Sequence, residues 1–155
     1  PGVWNLRAKD LVLAYKLDAA QAARAFSTLN VAMADAMIAC WHAKYTWWTE
    51  RPVTVIREQR DAAFLPHLIT PPHPTYPSGH SSASGAGEIA LAAFFPNESA
   101  NLKAMAEEAA MSRLYGGIHF RSDNDAGLEI GRKIAARAVA RMRGAPGAQS
   151  AVTTR

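Results

Sequence analysis

Six residues of this 155-residue chain have types and spacings that suit the handling of an oxyanion: Lys44, Arg51, His80, Arg113, His119 and Asp123. The focus is Tyr76-Pro77-Ser78-Gly79-His80, in which a φ-fixing proline leads to a hydroxyl, a glycine that lets backbone approach a ligand closely, and a histidine. Residues 81–95 follow as an alanine-rich run of helical length. Ser78, Gly79 and His80 therefore stand at a helix N-terminus, where free N–H groups favour an anion. Lys44 continues a core-facing stripe, an expensive place for an unpaired charge. Arg51 comes seven residues later, about two helical turns, and the following Pro52 frees it to turn inward. Arg113 closes another apolar stripe beside Ser112, and His119 and Asp123 are four apart, so that the carboxylate can accept a hydrogen bond from one ring nitrogen and leave the other basic.

Taken singly, each residue has an ordinary explanation: snorkelling for Lys44, compensation of a helix dipole for Arg51, a satisfied core position for His80. Together they do not. Three permanent cations on core-facing stripes, with no carboxylate on those stripes, require an anion. A tetrahedral oxyanion such as phosphate matches the set best, with Lys44, Arg51 and Arg113 on equatorial oxygens, Ser78 and the Gly79 N–H on one more, and His80 and His119 at the apical positions. A divalent-metal site built from His80, His119, Asp123 and Asp125 is disfavoured because the cations would repel the metal.

The elements that must position these residues read as helices. Residues 1–17 form a weakly helical N-terminal arm, residues 18–143 a helical catalytic domain, and residues 144–155 a flexible tail. A long helix begins at Asp18, with Phe26, Leu29, Met33, Met37, Cys40 and Trp41 inward, and ends at Arg51-Pro52. Asp35 falls on its opposite, solvated face. Residues 53–69 are a short irregular helix and connector, and residues 70–77 a stiff proline-rich loop. Further helices span about residues 98–115, with Leu102, Met105, Ala106 and Ala109 inward, and about residues 124–143, with Leu128, Gly131, Ile134, Ala135, Ala138, Val139 and Met142 inward. Gly116-Gly117 separates the two, and without that break Arg113 and His119 would point about 240° apart around one helix.

Composition bounds the function classes. The net charge of +4 suits anionic ligands, yet the basic residues are scattered and the densest group, Arg132 to Arg143, suits a solvated helix end, so nucleic acid is not an expected partner. One cysteine excludes an internal disulfide framework and a cysteine-rich zinc site. Charged residues interrupt every apolar run before the roughly 18 residues of a membrane span. The reading is of a soluble chain, its compartment undetermined and export open. The first residue is Pro, which points to processing, trimming or a longer parent chain.

Lys44 with Arg51-Pro52, Pro77-Ser78-Gly79-His80, and Ser112-Arg113 with His119 and Asp123 together resemble, complete and in order, the three-part signature of the type 2 phosphatidic acid phosphatase and vanadium-dependent haloperoxidase superfamily. The segments Trp41-His42-Ala43-Lys44-Tyr45 and Tyr115-Gly116-Gly117-Ile118-His119-Phe120-Arg121 are most similar to the soluble bacterial haloperoxidase-like branch. The resemblance implies an all-α bundle of about five to six helices with the anion at one end. In the phosphatases the match to His119 attacks phosphorus, Asp123 orients it and His80 protonates the leaving oxygen, while Lys44, Arg51, Arg113, Ser78 and Gly79 hold the transition state. In the haloperoxidases the same shell holds vanadate, with His119 as the vanadium ligand, His80 as acid-base and Lys44 polarising bound peroxide. Around the shell, Trp41 resembles the chloroperoxidase choice and His73 the bromoperoxidase choice, with Ser112 beside Arg113. The expectation is a vanadate-dependent enzyme oxidising halide with hydrogen peroxide. The alternatives are an acid phosphatase with no cofactor, acting on a small anionic ester, and an inactive phosphate-binding module. The chain is far shorter than the haloperoxidases, which implies either a missing N-terminal half or a homo-oligomer that covers an exposed apolar flank.

Overall fold

The computed structural model describes residues 1–144, so the tail expected over residues 144–155 falls, apart from Gly144, outside the described residues. Asp18 starts the longest helix, α2 (Ala19–Trp47), with a reciprocal cap: its carboxylate accepts from the Gln21 N–H at 2.8 Å, and the Gln21 side chain accepts from the Asp18 N–H at 3.1 Å. Before it lies α1 (Gly2–Ala14); after it come α3 (Pro52–Gln59), α4 (Gly79–Ala92), a 3₁₀ turn (Pro96–Glu98), α5 (Ser99–Tyr115) and α6 (Arg121–Gly144). The described residues are helical with no strand, as the sequence led one to expect.

The centre of the bundle is α4, in which every residue from Ser81 to Glu88 is buried. Small side chains permit this from Ser81 to Gly87, and Glu88 is paired with Arg132 at 2.8 Å. A methyl on Gly85 would come within 2.5 Å of the Leu128 carbonyl oxygen, and one on Gly127 within 2.6 Å of the Ser78 carbonyl, so α4 and α6 pack almost backbone to backbone. Helix α1 seats Trp4 over Gly87, where a methyl would meet the indole at 2.5 Å, and the Trp4 indole N–H donates to Ser84 Oγ at 3.2 Å. Trp4, Ala8 and Leu11 join the apolar core made by Leu29, Met33, Leu91, Phe95, Leu102 and Leu128.

Three boundaries differ from expectation; the run read over residues 81–95 is helical over Gly79–Ala92. Helix α2 does not run to Arg51; it stops at Trp47 because Trp48 turns left-handed (φ 48°, ψ 47°) while its N–H still bonds the Lys44 carbonyl at 3.0 Å. Lys44 and Arg51 therefore do not share a helical face: Lys44 sits in the last turn of α2, and Arg51 is an extended residue capping α3, with Pro52 at the first helical position. Helix α6 begins at Arg121 rather than 124, which puts Asp123 in its first turn, where a carboxylate suits the dipole. Along α2, Leu29, Met33 and Cys40 are buried as read, but Trp41 is 39% exposed at the bundle end. Asp35 pairs at the surface with Arg141 (2.8 Å).

Candidate active site

Three chain breaks converge at one end of the bundle: the link between α2 and α3, the proline-rich loop into α4, and the turn between α5 and α6. The last works as expected. Gly117 takes φ +72°, and the Ile118 N–H bonds the Arg113 carbonyl at 3.2 Å, so Arg113 and His119 come to line one cavity of about 880 Å³. Arg51, His73, Gly79, His80 and Trp41 line it too. Lys44, Ser78 and Asp123 lie buried behind that lining, and Ser112 holds Arg113 from outside, its Oγ accepting from the Arg113 Nε at 3.2 Å.

Lys44 is fully buried and donates to the carbonyls of Pro74 (2.8 Å) and Thr75 (2.9 Å), with Nζ 5.5 Å from the Trp41 ring centre. Arg51 donates from Nε to the His73 carbonyl (2.9 Å), from one terminal nitrogen to the Ile118 carbonyl (2.6 Å) and His119 Nε2 (3.2 Å), and from the other to His73 Nδ1 (3.1 Å). His73 in turn meets the Trp41 ring edge to face at 4.7 Å between centroids. Burial, reinforced by Arg51, brings the Lys44 ammonium down to about 8, and burial also lowers Arg51. Lys44 and Arg51 share the one carboxylate of Asp123, and Arg113 has no carboxylate partner among the described residues, an arrangement that an oxyanion would relieve.

The partners fix the state of His119. Arg51 can only donate and the ionised Asp123 can only accept, so Nδ1 carries the proton toward Asp123 Oδ2 (3.0 Å) and Nε2 is the basic nitrogen. Burial pushes the imidazole below its usual value against the pull of Asp123, and Arg51 and Lys44 push the same way. Burial alone would raise Asp123, but bonds from His119, Thr75 and the Phe120 N–H (2.9 Å) carry it below the usual carboxylate range. His80 stands at the second position of α4, exposed at the cavity mouth, with Nε2 accepting from Arg113 at 3.4 Å; desolvation by the surrounding wall, then the charge of Arg113, lower it. Both histidines are thus neutral near pH 7.

Ser78 also fixes the turn into α4. Its Oγ accepts from the Ser81 N–H at 3.4 Å as the cap of α4, and its own N–H donates to the Asp123 carbonyl at 2.9 Å, so it joins the α4 and α6 N-termini. Asp125 is not brought to the site: it is exposed and lines a separate cavity beside Glu129 and Arg132. No group of three or more His, Cys, Asp or Glu residues suited to a metal ion occurs among the described residues. Sequence reasoning missed Thr75, 2% exposed, whose hydroxyl donates to Asp123 Oδ2 at 2.5 Å. It also missed Trp4 and Leu68 as cavity walls. A hydroxyl inside a proline-rich loop carries no periodic signal.

Residues 25–145 match the family model of the PAP2 superfamily, and the chain belongs to that superfamily, a superfamily of enzymes. The crystal structure of a bacterial vanadium-dependent iodoperoxidase is similar over 89% of this chain and 38% of its own length, at 37% identity and a TM-score of 0.82. A bacterial vanadium-dependent chloroperoxidase in its holo form is similar in fold over 74% of this chain and 35% of its own length, at 20% identity and a TM-score of 0.60. The chain thus spans little more than a third of either neighbour. No curated protein matches it in sequence. No helix among the described residues is long and apolar enough to cross a membrane.

Proposed function

We propose that the chain is the catalytic part of a vanadate-dependent haloperoxidase, with residues 18–143 as the catalytic unit and residues 1–17 as an arm against it. The observation that carries this reading is the 37% identity to the iodoperoxidase across 89% of the chain. The residues suit the oxyanion. His119 offers a neutral ring nitrogen to vanadium, and Lys44, Arg51, Arg113 and the Gly79 N–H offer positive donors to its oxygens, with Ser78 fixing the turn that presents them. Bound vanadate would supply a Lewis-acid centre that activates hydrogen peroxide toward halide. Within the chain, Asp123 holds the ring of His119, Arg51 orients its Nε2, and His80 holds or releases a proton at Nε2 on the cavity side.

A second reading, phosphomonoester hydrolysis, is favoured by the cavity of about 880 Å³, which has room for the organic body of an ester beside the shell. His119 Nε2 would attack phosphorus as the P–O bond to the ester breaks, His80 in its protonated form would give its Nε2 proton to the departing oxygen, so that this activity would be favoured below neutral pH, and water would release phosphate from the phosphohistidine. A binding module without turnover is the third outcome. One preparation, split with and without orthovanadate and assayed for bromide and iodide oxidation by hydrogen peroxide and for hydrolysis of a chromogenic phosphate ester, tests these readings. Halide oxidation that needs vanadate and disappears in His119→Ala is the expected result. Ester hydrolysis inhibited by vanadate would replace it with the phosphatase reading, and binding of phosphate with no turnover would leave the module.

A further inference from the structure

Thr75 ties the loop that holds Lys44 to the His119–Asp123 pair. Its carbonyl accepts from Lys44 Nζ at 2.9 Å, its N–H donates to the Thr49 carbonyl at 3.1 Å, and its hydroxyl donates to Asp123 Oδ2 at 2.5 Å, with Oγ1 3.2 Å from His119 Nδ1. Asp123 Oδ2 takes two further donors, the Phe120 N–H at 2.9 Å and His119 Nδ1 at 3.0 Å. Both of those come from the chain just before Asp123. The bond from Thr75 comes from the loop that also supplies the carbonyls holding Lys44 and Arg51. As a β-branched residue that is almost fully buried, Thr75 has little rotamer freedom, so its hydroxyl is a fixed reference point.

We infer that Thr75 is a positioning residue: its hydroxyl pins the Asp123 carboxylate so that His119 keeps its proton on Nδ1 and presents a basic Nε2 in one orientation. The inference rests on the proposed reading in that His119 is the residue that meets the reacting centre, and it concerns how that residue is held, whichever anion is bound. A structural role through packing would depend on the methyl and the side-chain shape; a positioning role depends on the hydroxyl.

Thr75→Val keeps the shape and removes the hydroxyl, and Thr75→Ser keeps the hydroxyl and removes the methyl. The readout is the His119 ring by ¹⁵N and ¹H NMR, at one near-neutral pH and with no anion added. Wild type and Thr75→Ser are expected to show one slowly exchanging, hydrogen-bonded Nδ1–H. In Thr75→Val that proton should exchange with solvent at least about tenfold faster. Turnover, in whichever assay the wild type supports, should fall about ten- to a hundredfold in Thr75→Val and recover in Thr75→Ser. An unchanged Nδ1–H in both variants, or loss in Thr75→Ser with retention in Thr75→Val, overturns the inference. Should Thr75→Val not fold, Thr75→Ala against Thr75→Ser isolates the hydroxyl in the same way. A wild type inactive in every assay would overturn the proposed function, while the NMR comparison would still decide the role of Thr75.

Discussion

Lys44 carries a charge in a place that gives it two carbonyl partners and no carboxylate of its own, and its depressed value of about 8 is the measure of that situation. Its folded value lies below the 10.5 usual for a free lysine, so between about 8 and 10.5 the unfolded chain binds more protons and this group's contribution to stability rises with pH. Anion binding has the opposite dependence, because it needs the ammonium charged. Affinity for sulfate, which does not titrate in this range, should be level below about pH 8 and fall above it by on the order of tenfold per pH unit at the steepest. Calorimetric titration across that range checks this, and Lys44→Met should bind sulfate more weakly with no such slope. Arg51 contributes shape as well as charge, since its fork joins the His73 and Ile118 carbonyls and His119. Arg51→Lys keeps the charge but loses the fork, with an expected cost of about 2 kcal/mol in urea denaturation. At this scale most of the candidate site was legible in the sequence. Lys44, Arg51, His80, Arg113, His119 and Asp123 betray themselves because charge on an apolar stripe has to be explained. Thr75 does not, since a threonine in a loop is ordinary until its burial is seen.

At the scale of elements, the helices were legible wherever apolar residues recur at helical spacing, and their ends less so. The end of α2 is set by a left-handed Trp48, which no local residue preference announces, whereas the end of α5 is marked by Gly116-Gly117 and fell where those residues put it. Helix α4 has no single apolar stripe because all its sides are covered; its glycines, alanines and serines signal close packing rather than amphipathicity. The crossing of α4 and α6 matters to the site because His80 stands at one N-terminus and Asp123 at the other. Gly131 lies at that crossing, where an added methyl would collide with the Ser82 carbonyl oxygen and approach the Ala86 amide nitrogen to 2.7 Å, both of them backbone atoms that cannot swing aside. Gly131→Ala should therefore destabilise the fold by about 3 kcal/mol in chemical denaturation and reduce turnover with it. Gly144→Ala, with none of the described residues within 4 Å of the added methyl, is the matched control and should leave both unchanged.

Over the whole molecule, the cationic shell and an apolar chamber are parts of one cavity: Met37, Leu68, Ala83, Met105, Ala109 and Ile118 share it with Arg51, His80, Arg113 and His119. The sequence showed the shell but not the chamber, because its walls come from helices and a connector far apart in the chain, and small residues such as Ala83 and Ala109 signal space only once their neighbours are known. The arrangement predicts preference for an anion with an apolar body. Phenylphosphonate should bind about tenfold or more tightly than inorganic phosphate, the gain expected from burying one ring. Ala83→Leu adds bulk to the chamber wall that α4 supplies, so it should abolish that preference while leaving phosphate affinity within about twofold of wild type. Competition for one site, followed by calorimetry with both ligands on both proteins, separates the two surfaces. Equal weakening of both ligands would mean that Ala83 supports the shell itself, and a preference unaltered by the added leucine would mean that the ring lies elsewhere than along α4.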